Sequence, residues 1–134
     1  MKSIFAVGDR KEFEIIVTEK DVASFNSGKV HPVYATFALG RDAEWCCRLF
    51  VLDMKEADEE GIGTALSIVH HSPALLGEKV LFKAWVQAIE KNSIVCNYEA
   101  RVGERLIASG EQGQKILKKE KLEKLFNNIS STNP

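Results

Sequence analysis

Residues 37–58 read FALGRDAEWCCRLFVLDMKEAD, and this stretch decides the fold. Its apolar positions are Phe37, Leu39, Ala43, Trp45, Cys46, Cys47, Leu49, Phe50, Val51, Leu52 and Met54; between Ala43 and Met54 they point to nearly every side of a helix. A helix that is apolar all round is buried all round. The spacing therefore predicts a central helix from about Phe37 to Asp58, with a solvated end, KEADEEG, that stops at Gly61. A helix of this kind needs a sheet curved around it.

The flanking sequence supplies the strands. Residues 12–18, EFEIIVT, are β-rich and read as a first strand. Residues 19–35 are broken by Asn26, Ser27, Gly28 and Pro32 and read as a long loop, the kind of segment that often covers a site. Thr36 stands where it can cap the helix. Beyond Gly61 the pattern changes to four strands: GTALSIVHHS, KVLFKAWVQAIEK, SIVCNYEARV and RLIASGEQGQKIL. In the second of these Val80, Phe82, Ala84, Val86 and Ala88 share one face. The joints Pro73–Gly77, Lys91–Asn92 and Gly103–Glu104 are short, which predicts an antiparallel meander. In KKEKLEKLFNNI, Leu122, Leu125, Phe126 and Ile129 recur at helical spacing, so a short amphipathic helix should pack on the body ahead of a polar tail, Asn127 to Pro134. Periodicity thus yields an α+β fold, an antiparallel sheet around a central helix.

Composition narrows the function classes. A chain of 134 residues suits a single domain, 1–134. The formal net charge of −1 argues against a nucleic-acid or anionic-membrane surface, which would need an excess of Lys and Arg. No stretch approaches the roughly 20 apolar residues that span a bilayer, and MKSIFAVGDRKEF has no signal-peptide pattern. Cys46, Cys47 and Cys96 are an odd set without CxxC spacing, which reads as reduced thiols in a cytoplasm. Burial in the greasiest turn of the helix would leave Cys46 and Cys47 inert as nucleophiles. His31, His70, His71 and the cysteines lack metal-ligand spacing, so no metal is expected. Neither a GxxxxGK[ST] phosphate loop nor a GxSxG elbow occurs.

Glu44 is the most informative residue, a carboxylate inside an apolar helix. Burying it unpaired would cost several kcal/mol or raise its pKa. It either pairs with Arg48 at i, i+4 or serves chemistry, and periodicity does not choose. Thr36 taken alone is an N-cap; His70 taken alone is a strand histidine, although its unperturbed pKa near neutrality suits proton transfer. Gly63, Gly110 and Gly113 taken alone are bulge glycines. His70 and His71 are neighbours in a strand and point to opposite faces; alternation leaves open which one faces the helix.

Two stretches carry a resemblance: YATFALGRDAEWCCRLF, residues 34–50, and GIGTALSIVHHSPALLGEKV, residues 61–80, with looser similarity through SGEQGQKIL. Together they resemble the fluoroacetyl-CoA thioesterase-like branch of the hotdog superfamily over roughly residues 10–120. The resemblance implies a hotdog fold and hydrolysis of an acyl thioester of coenzyme A, with no cofactor beyond that substrate. It also implies a homodimer, with a dimer of dimers as the alternative, and the site at the interface. Carried over by position, Thr36, Glu44 and His70 become the catalytic set, and the backbone N–H of Gly63 polarises the thioester carbonyl. Glu44 would activate water, attack the carbonyl or orient Thr36. The match of GTALSIVH favours His70 over His71.

The chain departs from the family pattern twice. A family arginine late in the last strand falls on Gln114, and the family's loop phenylalanine has no counterpart in GKVHPVY. Neither departure touches thioester hydrolysis; both weigh against fluoroacetyl-CoA. The bulky segment Val30, Pro32, Val33 and Tyr34 beside Thr36 predicts a pocket for short acyl groups, lined by Val33, Tyr34 and Gln114. The competing reading is an acyl-CoA or acyl-carrier binding domain without catalysis, which the change at Gln114 favours; a hydratase would need an Asp/His pair that is not apparent.

Overall fold

The computed structural model describes residues 1–25 and 28–132. Over the described residues eight strands and two α-helices follow one another as β1 (Arg10–Ile16), a 3-10 turn (Glu19–Asp21), β2 (Val22–Phe25), β3 (Gly28–Tyr34), α1 (Thr36–Met54), β4 (Glu59–Leu66), β5 (Val69–His70), β6 (Lys79–Glu90), β7 (Ser93–Val102), β8 (Arg105–Lys118) and α2 (Lys119–Thr132). The main antiparallel sheet has the order β1-β6-β7-β8-β4, and β5 also pairs with β8. It curls around α1. Among the described residues no helix is long and apolar enough to cross a membrane.

The core lies between the helix and the inner face of the sheet. Alternate residues of β6 (Val80, Phe82, Ala84, Val86) and β7 (Ile94, Cys96, Tyr98, Ala100) are buried against Leu39, Cys46, Cys47, Phe50 and Met54 of α1. The register Phe82↔Ala100, Ala84↔Tyr98, Val86↔Cys96 keeps these residues on one face, as a two-residue period requires. Phe5 closes one end of the core edge-on to Phe50.

Several expectations are corrected. The segment 19–35 is not an open loop: VASF and GKVHPVY pair as the antiparallel hairpin β2–β3, because their β-branched and aromatic residues suit a half-buried strand. The break at Asn26 and Ser27 lies outside the described residues. Helix α1 ends at Met54, its last buried residue, where Lys55 turns extended; the charged run that follows offers nothing apolar to pack. It is not buried all round. Phe37, Arg41, Glu44, Trp45 and Leu52 are exposed along one stripe of a single chain.

The strand expected over 63–72 breaks between Leu66 and Val69 into β4 and β5. Strands β6, β7 and β8 form the meander, but β4 does not join it beside β6. Both edges of β6 are taken by β1 and β7, so β4 pairs with the free edge of β8 and Pro73–Gly77 is a crossover. Among the side chains described on α2 only Leu122 is buried; Leu125, Phe126 and Ile129 are about half exposed, and Asn127 to Thr132 continue the helix. Asn133 and Pro134 lie outside the described residues.

Candidate active site

Two corners of α1 gather the polar residues. The first is at mid-helix. Glu44 points over β4 to Gly63, and a β-carbon at position 63 would collide with its Oε1. Glycine leaves the carboxylate the space a side chain would take. On the inner face of β8, Gln112 Nε2 donates to Glu44 Oε1 at 3.1 Å and to the Gly113 carbonyl at 3.1 Å, and Gln114 Nε2 donates to Gln112 Oε1 at 2.8 Å. Arg48 does not pair with Glu44. Its Nη2 lies 2.7 Å from Glu60 Oε1, so the i, i+4 ion pair is not formed. Arg41, Glu44, Trp45, Arg48, Gly63 and Gln114 line an open cavity of about 310 Å³.

The second corner is at the start of the helix. Thr36 is not the N-cap; Ala35 is, without a side-chain bond, and Thr36 occupies the first helical position. Its hydroxyl is therefore available, and Oγ1 lies 2.9 Å from His70 Nε2. The break after β4 gives His70 that aim. Tyr98, buried in the core, donates its hydroxyl to the Ser67 carbonyl at 2.7 Å, and Gly110 lies so close to that carbonyl that any β-carbon would clash. Leu66 and Ile68 face Gly40 of α1, which puts the helix-facing set on the side of His70. His71 turns away to Ser109 Oγ at 2.8 Å. Val33, Tyr34, Thr36, His70, His71 and Pro73 are among the residues lining a second cavity of about 370 Å³.

The structure thus joins Thr36 to His70, and Glu44 to Gly63 and the amide pair Gln112–Gln114, but in one chain the two corners line separate cavities. Val33 borders the Thr36 corner and bridges to Leu75. Tyr34 contributes its ring to the wall while its hydroxyl is committed to Asp42. Burial, then the Asp42 carboxylate, pushes that phenol far above its usual range. Arg41 ties Asp42 to Asp21 with contacts of 3.0 and 2.9 Å, fastening the 3-10 turn to the helix beside Thr36. The three thiols are buried and unpaired by disulfides; desolvation pushes Cys46 up to about 12, which suits an inert role.

Sequence reading missed Gln112, the Asp21–Arg41–Asp42 cluster and Tyr98. A signal for the first was present: Gln112 and Gln114 alternate in a strand whose inner face is otherwise apolar, where an amide must find partners.

A curled antiparallel sheet around one long helix, with Thr36 and Glu44 on that helix and His70 on β5 beside its start, is the architecture of a hotdog fold. The family model described as the fluoroacetyl-CoA-specific thioesterase FlK matches residues 17–120, and the chain belongs to that family of acyl-CoA thioester hydrolases. A solved Thermus thermophilus hypothetical protein, a thioesterase superfamily member, is 34% identical with a TM-score of 0.91 over 96% of each chain. The fluoroacetyl-CoA thioesterase FlK itself is 21% identical with a TM-score of 0.86 over 98% of this chain and 100% of its own. A hot-dog-like protein from Thermanaerovibrio acidaminovorans is 19% identical with a TM-score of 0.84 over 97% of this chain and 95% of its own. None of the curated proteins matches the chain.

Proposed function

We propose that two copies of this chain form a homodimer that hydrolyses short-chain acyl thioesters of coenzyme A, with Glu44, Thr36 and His70 as the catalytic groups. The observation that carries this reading is the state of Glu44. Gln112 holds one carboxylate oxygen, no cation among the described residues pairs with it, and the group is exposed in an open cavity beside Gly63. Such a carboxylate takes a proton from water as it adds to the thioester carbonyl, and the tetrahedral adduct then expels the CoA thiolate, which takes up a proton and leaves as the thiol with the free acid. In the other route the carboxylate adds itself, expulsion of the thiolate leaves an acyl–Glu44 anhydride, and water hydrolyses that to the free acid and the carboxylate. Oxygen-18 labelling of Glu44 in a single turnover in labelled water separates the routes. The His70–Thr36 pair supplies a proton donor and a hydroxyl at the carbonyl. The backbone of Gly63 is offered as the carbonyl's hydrogen-bond donor. No resident metal or cofactor enters this scheme.

The dimer follows from distance. Thr36 and Glu44 are eight residues apart on one helix, about 12 Å along its axis. One thioester carbonyl cannot meet both in the same chain. Strand β4 ends the sheet with an unpaired edge, beside the exposed stripe of Phe37, Trp45 and Leu52. Pairing two copies there covers that surface and can set Glu44 of one copy against Thr36 and His70 of the other. Mixing inactive Glu44→Gln with inactive His70→Ala should then restore activity in the hybrid; no recovery, or a monomer by sedimentation at micromolar concentration, contradicts the shared site.

Short acyl groups follow from the wall of Val33, Tyr34 and Pro73 around Thr36. The deciding assay is thiol release from acetyl-, propionyl-, fluoroacetyl- and palmitoyl-CoA. Preference for palmitoyl-CoA defeats the short-chain assignment. Binding without thiol release would make the chain an acyl-CoA binding domain. FlK has been solved as variants with acetyl-CoA and with fluoroacetate and CoA, which supports this substrate class. The three unpaired thiols support a reducing, cytoplasmic setting.

A further inference from the structure

We infer that Gln112 is a positioning residue that aims the Glu44 carboxylate, and that Gln114 acts one step back by fixing which way the Gln112 amide faces. This rests on the reading of Glu44 as a catalytic group. Gln112 is 1% exposed and Gln114 3%, and both lie on the inner face of β8, an expensive place for two amides unless their hydrogen bonds are made. They are made. The two N–H donors of Gln112 go to Glu44 Oε1 and the Gly113 carbonyl, while its oxygen accepts from Gln114. Turned over, the amide would oppose its oxygen to the Glu44 carboxylate and its NH2 to that of Gln114. Both contacts repel, so only one orientation is compatible with the neighbours.

The consequence for Glu44 is chemical. A neutral donor on Oε1 fixes the carboxylate plane without a paired cation to quench its basicity, and Gly63 leaves room for it. Oε2 remains to meet water or the carbonyl. The charged side chains around this corner are Arg41 and Arg48 of α1 and Glu60 of β4. Arg48 is neutralised by Glu60, and Arg41 is bound to Asp21 and Asp42.

The test uses the full-length protein with acetyl-CoA and a thiol reagent, comparing wild type, Gln112→Met, Gln112→Met/Gln114→Met and Glu44→Gln. Gln112→Met is expected to lower kcat about 10- to 100-fold and leave KM nearly unchanged. The single variant leaves the Gln114 amide unsatisfied and should melt lower. The double variant removes both amides and should regain stability but not kcat. A wild-type kcat in either variant overturns the inference, as does a loss that falls on KM rather than kcat or a kcat that recovers with stability in the double variant. Undiminished turnover by Glu44→Gln overturns instead the catalytic reading of Glu44.

Discussion

The two polar corners of α1 are built on opposite plans. At the helix start, Thr36 and His70 meet near the surface, beside a break in a strand and a 3-10 turn that Arg41 ties to the helix through Asp21 and Asp42. At mid-helix, Glu44 lies over a glycine and against two fully buried amides. The first corner holds two groups that can exchange a proton and depends on loops. The second holds a single charge and depends on the core. The contrast teaches that one helix can carry an adaptable half-site and a rigid one, and that the rigid half is where small changes in shape should be felt most.

The largest effect should come from the rigid corner. Glu44→Gln keeps the shape and removes the charge, so the rate should fall about 10²–10⁴-fold with little change in Tm. Since Arg48 is already paired with Glu60, no ion pair is lost. A variant that melts lower and still turns over would make Glu44 a structural residue.

Next comes the histidine of the other corner. His70→Ala should cost about 10²-fold or more, while His71→Ala, which loses only the contact to Ser109, should change the rate little. The opposite ranking in parallel kinetics would put the working face on the other side of β5.

Gly63→Ala sharpens the comparison without touching a reactive group. The added methyl must push Glu44 aside, and a displacement of about 1 Å can cost about 10²-fold. An unchanged kcat would mean that the mid-helix corner is as yielding as the first.

The smallest effect concerns the pins under Thr36. Burial alone would raise the Asp21 carboxyl, but bonds from the Thr18 N–H, the Arg41 guanidinium and the Thr18 hydroxyl hold it below the usual 3.8. A carboxylate with a lowered folded pKa stabilises above its unfolded value, and that contribution disappears as pH falls through the folded one. Asp21→Asn should therefore melt lower than wild type at pH 7, with the gap closing below about pH 4. A gap that is constant with pH would show that the charge of Asp21 contributes nothing.

How legible each part was follows from its range along the chain. The central helix, the meander of β6 to β8 and the inward face of β6 were readable because 3.6- and 2-residue periods are local. The residues Thr36, Glu44, Gly63 and His70 were singled out as candidates through a resemblance to a family; periodicity left Glu44 and the histidine face undecided. Gln112 stood unremarked because an amide in a strand acquires meaning only from what stands opposite it.

By itself, then, the sequence determined the two classes of element, the apolar seam that joins them and the residue types available for chemistry. Those follow from side-chain volume, polarity and spacing along a chain of fixed geometry. The tertiary structure alone decided that β4 crosses to β8 rather than joining β6, that α1 keeps one stripe bare and that Arg48 chooses Glu60. It also decided that Tyr98 and Gly110 hold the kink beside His70. Each of these is a competition between partners distant in sequence for the same edge, charge or space, and only the folded arrangement brings the competitors together.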